Sequence, residues 1–176
     1  MFSWNQRLFL AINKLVGRNR WLDAFGRAGA EWVLPAMLGW YAAAVWLAAG
    51  GQWRIVIWEW FFLAAGVGIG WLIDLAIGIA VNEPRPHVTI LGSKLLFNPL
   101  MSWKSFPSDH AMVAWLIFGL AFLFALPGME MLAVLALWVS FGRVYAGVHY
   151  PFDTIGGLSV AALVTAIAFY CFVVFF

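Results

Sequence analysis

The chain has 176 residues, of which 65% are hydrophobic and only 10% charged, with 12 Trp and 16 Phe. Soluble domains are about half apolar and about a quarter charged, so this composition excludes a water-soluble enzyme, a disordered tail and a nucleic-acid module. A net charge of +2 drawn from few ions offers no broad basic face for nucleic acid, and the single cysteine, Cys171, excludes an internal disulfide framework or a cysteine-built zinc site.

A membrane-spanning helix needs about 20 mostly apolar residues, and the chain offers several such runs in one domain, residues 1–176. The first 31 residues differ from the rest: Leu8, Ile12 and Leu15 recur at helical spacing while Arg7, Lys14, Arg18 and Arg20 take other positions. This is the pattern of an amphipathic helix lying in the membrane interface. Spans are expected over 32–49, 55–81, 111–126, 131–148 and 154–176, the third and fourth joined by Pro127-Gly128, a natural hairpin break. The predicted fold is therefore all-α: a polytopic membrane bundle of about five transmembrane helices plus an N-terminal interfacial helix. Gly66, Gly68 and Gly70 lie inside a span with no preceding strand, so they read as close helix packing rather than a nucleotide loop. Glu59 and Asp74, near opposite ends of the second span, read as interface-level groups.

Polar residues are scarce, and they collect. Asn82-Glu83-Pro84-Arg85-Pro86-His87 closes the second span, Ser105-Phe106-Pro107-Ser108-Asp109-His110 opens the third, and the stretch from Gly142-Arg143 through His149 to Asp153 joins the fourth to the fifth. Tracing the spans puts all three clusters, and every histidine, on one side of the membrane. Arg85 and Arg143 are permanent cations with planar donor forks suited to phosphate oxygens. Ser108 stands where a helix begins, beside free backbone N–H groups that favour an anion. With a helix starting at Pro151, Asp153 is placed to accept a hydrogen bond from His149 and set its tautomer. That imidazole is then a nucleophile facing two guanidinium groups, with His110 able to protonate a departing oxygen.

Arg85-Pro86, then Pro107-Ser108-Asp109-His110, then Arg143 with His149 six residues on and Asp153 four further, resembles the type 2 phosphatidic acid phosphatase superfamily. The resemblance covers residues 55–176, and the GRVYAGVHYPFD run is its most specific part; SFPSDHA and GVHYPFDTIGG look most like the bacterial undecaprenyl-diphosphatase branch. It implies a metal-independent lipid phosphatase without a cofactor. His149 would form a phosphohistidine, Asp153 would orient it, His110 would protonate the leaving group, and Arg85, Ser108 and Arg143 would bind phosphate. The pattern departs at Gly78, where the family usually has Lys seven residues before the Arg. Lys94 or Lys104, in the loop between the second and third spans, is expected to take its place. The apolar part of that loop, Leu95, Leu96, Phe97, Leu100, Met101 and Trp103, is expected to form a lipid entrance.

The implied partners are a membrane lipid phosphate and the bilayer itself. Undecaprenyl diphosphate is the expected substrate, with phosphatidic acid, phosphatidylglycerol phosphate and lipid A as alternatives. A metal-dependent hydrolase using His149, Asp153, His110 and Glu83 is a competing reading that the two arginines oppose. An intramembrane serine protease on Ser108, or a transporter, leaves the arginines or the third cluster without a role. For orientation, nine of the ten basic residues fall on the site side, which by charge distribution points to the cytoplasm. The resemblance implies instead an extracytoplasmic site on a multi-pass cell-membrane protein, and that is the expectation adopted.

Overall fold

The computed structural model describes residues 3–99 and 103–175, which form helices and no strands. Helix α1, Trp4–Asn13, starts in a capping box in which Ser3 and Gln6 satisfy each other's backbone N–H groups. Helix α2, Arg20–Glu31, starts at Asn19, whose side chain accepts from the N–H groups of Trp21 and Leu22. The N-terminal segment is thus two helices where the sequence suggests one. The reason is local: Gly17 takes a left-handed conformation (φ +79°), and the Asn19 cap restarts the helix on a new axis.

Neither helix simply lies on the surface. Phe9 and Asn13 of α1 are buried, and the Asn13 amide donates to the carbonyls of Lys94 (2.9 Å) and Tyr145 (3.2 Å). Helix α2 packs flush on α7, Met129–Tyr145. A Cβ at Gly26 would sit 2.2 Å from the Tyr145 ring, and one at Gly29 would sit 2.6 Å from Trp138. The Tyr145 hydroxyl donates to Asp23 at 2.7 Å, pinning α2 at its start.

Helix α3, Val33–Ala49, follows α2 after a bend of 56°. Helix α4, Trp53–Val81, has 29 residues and is about 43 Å long at 1.5 Å per residue. The one-turn α5 is Pro86–Thr89, α6 is Asp109–Leu123 and α8 is Pro151–Phe175. Helix α6 occupies the centre, packed against α4, α7 and α8, with Leu116, Ile117 and Leu120 fully buried. Glycines permit this closeness: Gly70 of α4 faces Met112, and Gly157 of α8 faces the Ser108 carbonyl. Gly66 packs likewise on Leu116, whereas Gly68 meets nothing within 4 Å. The small residues at 66 and 70 therefore serve packing, and the one at 68 points outward.

The outer shell is apolar, with Leu47, Ile57, Leu72, Leu137 and Leu163 exposed, as a lipid-facing surface requires. Two segments, Trp53–Thr89 and Pro151–Phe175, are long and apolar enough to cross a membrane, and the bent α2–α3 pair makes a third if it is one broken span. Helices α3, α6 and α7 fall where spans are expected but have only 17, 15 and 17 residues. Helix α6 stops short because Ala125 takes a left-handed conformation (φ +49°) ahead of the Pro127-Gly128 break. The reading of Glu59 and Asp74 as interface-level groups is corrected. Both are buried, Asp74 completely, because each faces inward from α4 toward the helices packed on it.

Candidate active site

The three polar clusters meet at one end of the bundle, around a cavity of about 510 Å³. Arg85, Asp109, His110, Arg143 and His149 line it together. The local sequence explains how each arrives. Asn82, in a left-handed conformation (φ 47°), ends α4, and Pro84 and Pro86 hold the next residues extended. Arg85 is thereby turned back over the helix end. Its Nε donates to the Lys104 carbonyl (2.9 Å) and its Nη1 to the Val148 carbonyl (3.3 Å). Arg143, in the last turn of α7, donates from Nη1 to the Ala30 carbonyl at 3.1 Å and lies over the Phe97 ring. Both guanidinium groups are about 95% buried, and protein carbonyls take only part of their donor capacity; Arg143 Nε has no acceptor.

His149 lies between α7 and α8. Its Nδ1 is 2.9 Å from the Ser105 carbonyl oxygen and 3.3 Å from Asp153 Oδ2. A carbonyl only accepts, so Nδ1 carries the proton and the lone pair is on Nε2. Asp153 Oδ2 also accepts from Ser105 Oγ (2.5 Å) and from the Tyr150 backbone N–H (2.7 Å). Burial, together with the neighbouring Arg143 and Arg85 charges, holds the His149 imidazole well below the usual histidine range. It is therefore neutral at pH 7, the state a nitrogen nucleophile requires. Ser108 is fully buried and its Oγ has no hydrogen-bond partner among the described residues; it precedes α6, and its own side chain does not cap that helix. Asp109, the first residue of α6, accepts from Lys104 Nζ at 2.7 Å.

The two lysines separate. Lys104 is 4% exposed, its aliphatic chain crossing α4 over Gly78 and its ammonium resting on Asp109, immediately behind the cavity wall. A Cβ at Gly78 would lie 2.4 Å from Lys104 Cδ, so the space beside Gly78 is occupied by the Lys104 side chain. Lys94 does not reach the cavity. Its backbone is held by Asn13 (2.8 Å) and its ammonium donates to the Val16 carbonyl, which ties the long loop to the N-terminal segment.

Several residues that build the site or line the cavity carry little signal in the sequence. Ser105 touches both His149 and Asp153, and only its place inside the second cluster hinted at this. Ala30, Glu31 and Trp32 line the cavity from the α2–α3 bend, a contribution that depends on α2 docking more than a hundred residues away in the chain. Phe97, Asn98 and Pro99 supply a wall from the long loop, while Leu95 and Leu96 pack inward against Ala30, Ala146 and Val148. Leu100 and Met101, also assigned to the lipid entrance, lie outside the described residues. His149, Asp153, His110 and Glu83, the set considered for a divalent ion, contain no group of three placed to hold one among the described residues.

The profile of the PAP2 superfamily matches residues 58–176. Undecaprenyl-diphosphatase BcrC of Bacillus subtilis (strain 168) is 34% identical over 166 residues, covering 91% of this chain and 80% of the relative. A putative undecaprenyl-diphosphatase, YbjG of Escherichia coli (strain K12), is 33% identical over 59% of this chain and 57% of its own length. In three dimensions the crystal structure of Aquifex aeolicus LpxE is similar with a TM-score of 0.69, covering 95% of each chain at 24% identity, which speaks to the fold. With the profile spanning well over half of its length, the chain belongs to the PAP2 superfamily of membrane lipid phosphatases, hydrolases that act on phosphate esters.

Proposed function

We propose that the protein removes the terminal phosphate of undecaprenyl diphosphate through a phosphohistidine on His149. The observation that carries this reading is the His149 environment. Nδ1 is tied to Ser105 and Asp153, while Nε2 makes no hydrogen bond among the described residues and shares a cavity with Arg85 and Arg143. Nε2 attacks phosphorus, the bond to the leaving oxygen breaks, and that oxygen takes a proton from His110, which is exposed to the cavity and carries that proton only once the anionic phosphate offsets the burial and the Arg143 and Arg85 charges that disfavour it. The phosphoryl oxygens sit between the guanidinium groups, with the unpartnered Ser108 hydroxyl and Arg143 Nε as further donors. Water, deprotonated by His110, then attacks the phosphohistidine and releases inorganic phosphate. Lys104 supports the site through Asp109 rather than by direct contact.

The substrate assignment is favoured by the relatives named undecaprenyl-diphosphatase and by the cavity itself, whose charged floor meets apolar walls at Trp32, Phe97 and Pro99. A charged head group enters while the prenyl tail stays in lipid. In this reading the chain crosses the membrane five times, through α3, α4, α6, α7 and α8, with the cavity on the extracytoplasmic face. Phosphate release by the purified protein across undecaprenyl diphosphate, phosphatidic acid, phosphatidylglycerol phosphate and lipid A, with and without chelator, tests the substrate. The highest kcat/KM for undecaprenyl diphosphate, unchanged by chelator, is expected; a tenfold preference for another lipid contradicts it. Impermeant thiol labelling of single cysteines at Ser93 and Gly128, with Cys171 replaced, tests the orientation. Labelling at position 93 alone in intact cells is expected, and labelling at position 128 alone reverses the assignment.

A further inference from the structure

Asp74 is a buried acid near the site end of α4 that the proposed chemistry does not use. It is fully enclosed, and neither carboxyl oxygen receives a hydrogen bond among the described residues. An ionised carboxylate so placed would be severely destabilised unless a buried cation paired with it. One turn before it Gly70 meets Met112 of α6, and one turn after it Gly78 meets Lys104 and the Phe106 carbonyl, so Asp74 faces the start of α6, where the charged groups are Asp109 and Lys104. Lys104 is bonded to Asp109 at 2.7 Å, and Gly78, one turn beyond Asp74 on α4, leaves room for the lysine chain to pass. Two carboxyl groups and one ammonium are therefore enclosed together, and only Asp109 also faces the cavity with Arg85 and Arg143. This group is electrically neutral if the two carboxyls share one proton.

Asp109 poses a problem for the proposed activity, because its negative charge borders the space a phosphate must enter. Resting on that activity, we propose that Asp74 is a positioning residue that stores the proton needed to neutralise Asp109 when an anion binds. Before binding, the proton is on Asp74 and Asp109 is an ion pair with Lys104. As the anion enters, the proton passes from the Asp74 carboxyl to the Asp109 carboxylate. Asp74 becomes the carboxylate, and the Lys104 ammonium, unchanged, now neutralises it. The net charge of the three groups is zero before and after. The negative charge has moved from the cavity wall to the helix behind it, and no proton is drawn from solvent.

The test uses the purified full-length protein, with orthovanadate as the phosphate-like probe, calorimetry in buffers of different ionisation enthalpy, and turnover of a lipid phosphate. Asp74→Asn keeps the side-chain shape and removes the stored proton. It is expected to weaken orthovanadate about tenfold, raise KM similarly with kcat within about twofold, and take up more buffer protons on binding than the unmodified protein. Asp109→Asn removes the charge from the wall and is expected to tighten orthovanadate, and Asp74→Asn/Asp109→Asn is expected to match Asp109→Asn alone. Affinity and proton uptake unchanged in Asp74→Asn, or a loss that persists in the double variant, overturn the inference. If Asp74→Asn does not fold, Asp109→Asn decides: tighter binding supports the inference, and unchanged or weaker binding overturns it. An unmodified protein that neither binds orthovanadate nor releases lipid phosphate overturns the proposed activity along with this inference. Failure in the variants alone overturns only the inference.

Discussion

Helix α4 carries a buried acid near each end, and the two are treated in opposite ways. Glu59 accepts a hydrogen bond from the Tyr41 hydroxyl at 3.0 Å and borders a cavity of about 370 Å³ walled by Trp58, Phe62, Phe124 and Phe172. Asp74, 15 residues on and about 22 Å away along the axis, has no donor and faces an acid and an ammonium. The first end is settled: its one polar group is satisfied locally and nothing around it needs to change. The second holds buried cations with unused donors, an unpartnered Ser108 hydroxyl and an orphan carboxyl. Unsatisfied groups are costly in a protein interior, and here they gather around one cavity. The contrast separates a part of the bundle whose buried acid is satisfied locally from a part whose unpartnered polar groups converge.

The sharpest way to break that contrast is at the site end. His149→Ala removes the nucleophile and is expected to lower kcat by at least about a thousandfold in a phosphate-release assay, with an unchanged elution profile in detergent. Activity within tenfold of the unmodified protein would remove His149 from the chemistry. Arg143→Lys keeps the charge but loses the planar fork that spans the Ala30 carbonyl and the cavity. A loss of about a hundredfold in kcat/KM is expected, comparable to removing one preorganised donor from a transition-state site.

Two glycines of α4 then offer a smaller, paired comparison. Gly78→Ala pushes a methyl group into Lys104 Cδ, 2.4 Å away, and is expected to lower kcat/KM about tenfold by displacing the lysine from Asp109. Gly68→Ala meets open space and should leave activity unchanged while raising stability by about 0.5–1 kcal/mol, the usual gain from removing a helical glycine. Equal effects at the two positions would mean that the Lys104 crossing is irrelevant. At the far end, Tyr41→Phe leaves the Glu59 carboxyl without its donor. It should cost about 1–3 kcal/mol of stability, seen as a lower Tm, with turnover unchanged. A loss of turnover there would show that the two ends are coupled.

The sequence made the chemistry more legible than the architecture. His149, Asp153, Arg85, Arg143, Ser108 and His110 are rare polar residues in an apolar chain, so their clustering was visible without coordinates. What stayed hidden was long-range. The docking of α2 on α7 brings the Ala30 carbonyl to Arg143, yet residues 20–31 alone read as a surface helix. The Ser105 carbonyl on His149 Nδ1 is a backbone contact, and no residue type signals it. Lys94 and Lys104 were equivalent as loop cations; only the chain path over Gly78 distinguishes them. Asp74 looked like an interface group because it sits near a helix end, but the second cluster folds back over that end and encloses it. The five runs expected as spans fall on α3, α4, α6, α7 and α8, but only the segments Trp53–Thr89 and Pro151–Phe175 are by themselves long and apolar enough to cross a membrane, because turn residues end the other helices early.

The central claim is that the phosphoryl group rests on His149 between the two half-reactions. It is tested most directly by rapid acid-free quenching of the purified protein with undecaprenyl diphosphate labelled in its terminal phosphate, followed by peptide mapping. The account requires a protein-bound phosphate that survives alkali, is lost in acid, maps to His149 and disappears in His149→Ala. Bound phosphate on another residue, or full turnover with no protein-bound phosphate at any quench time, would contradict it.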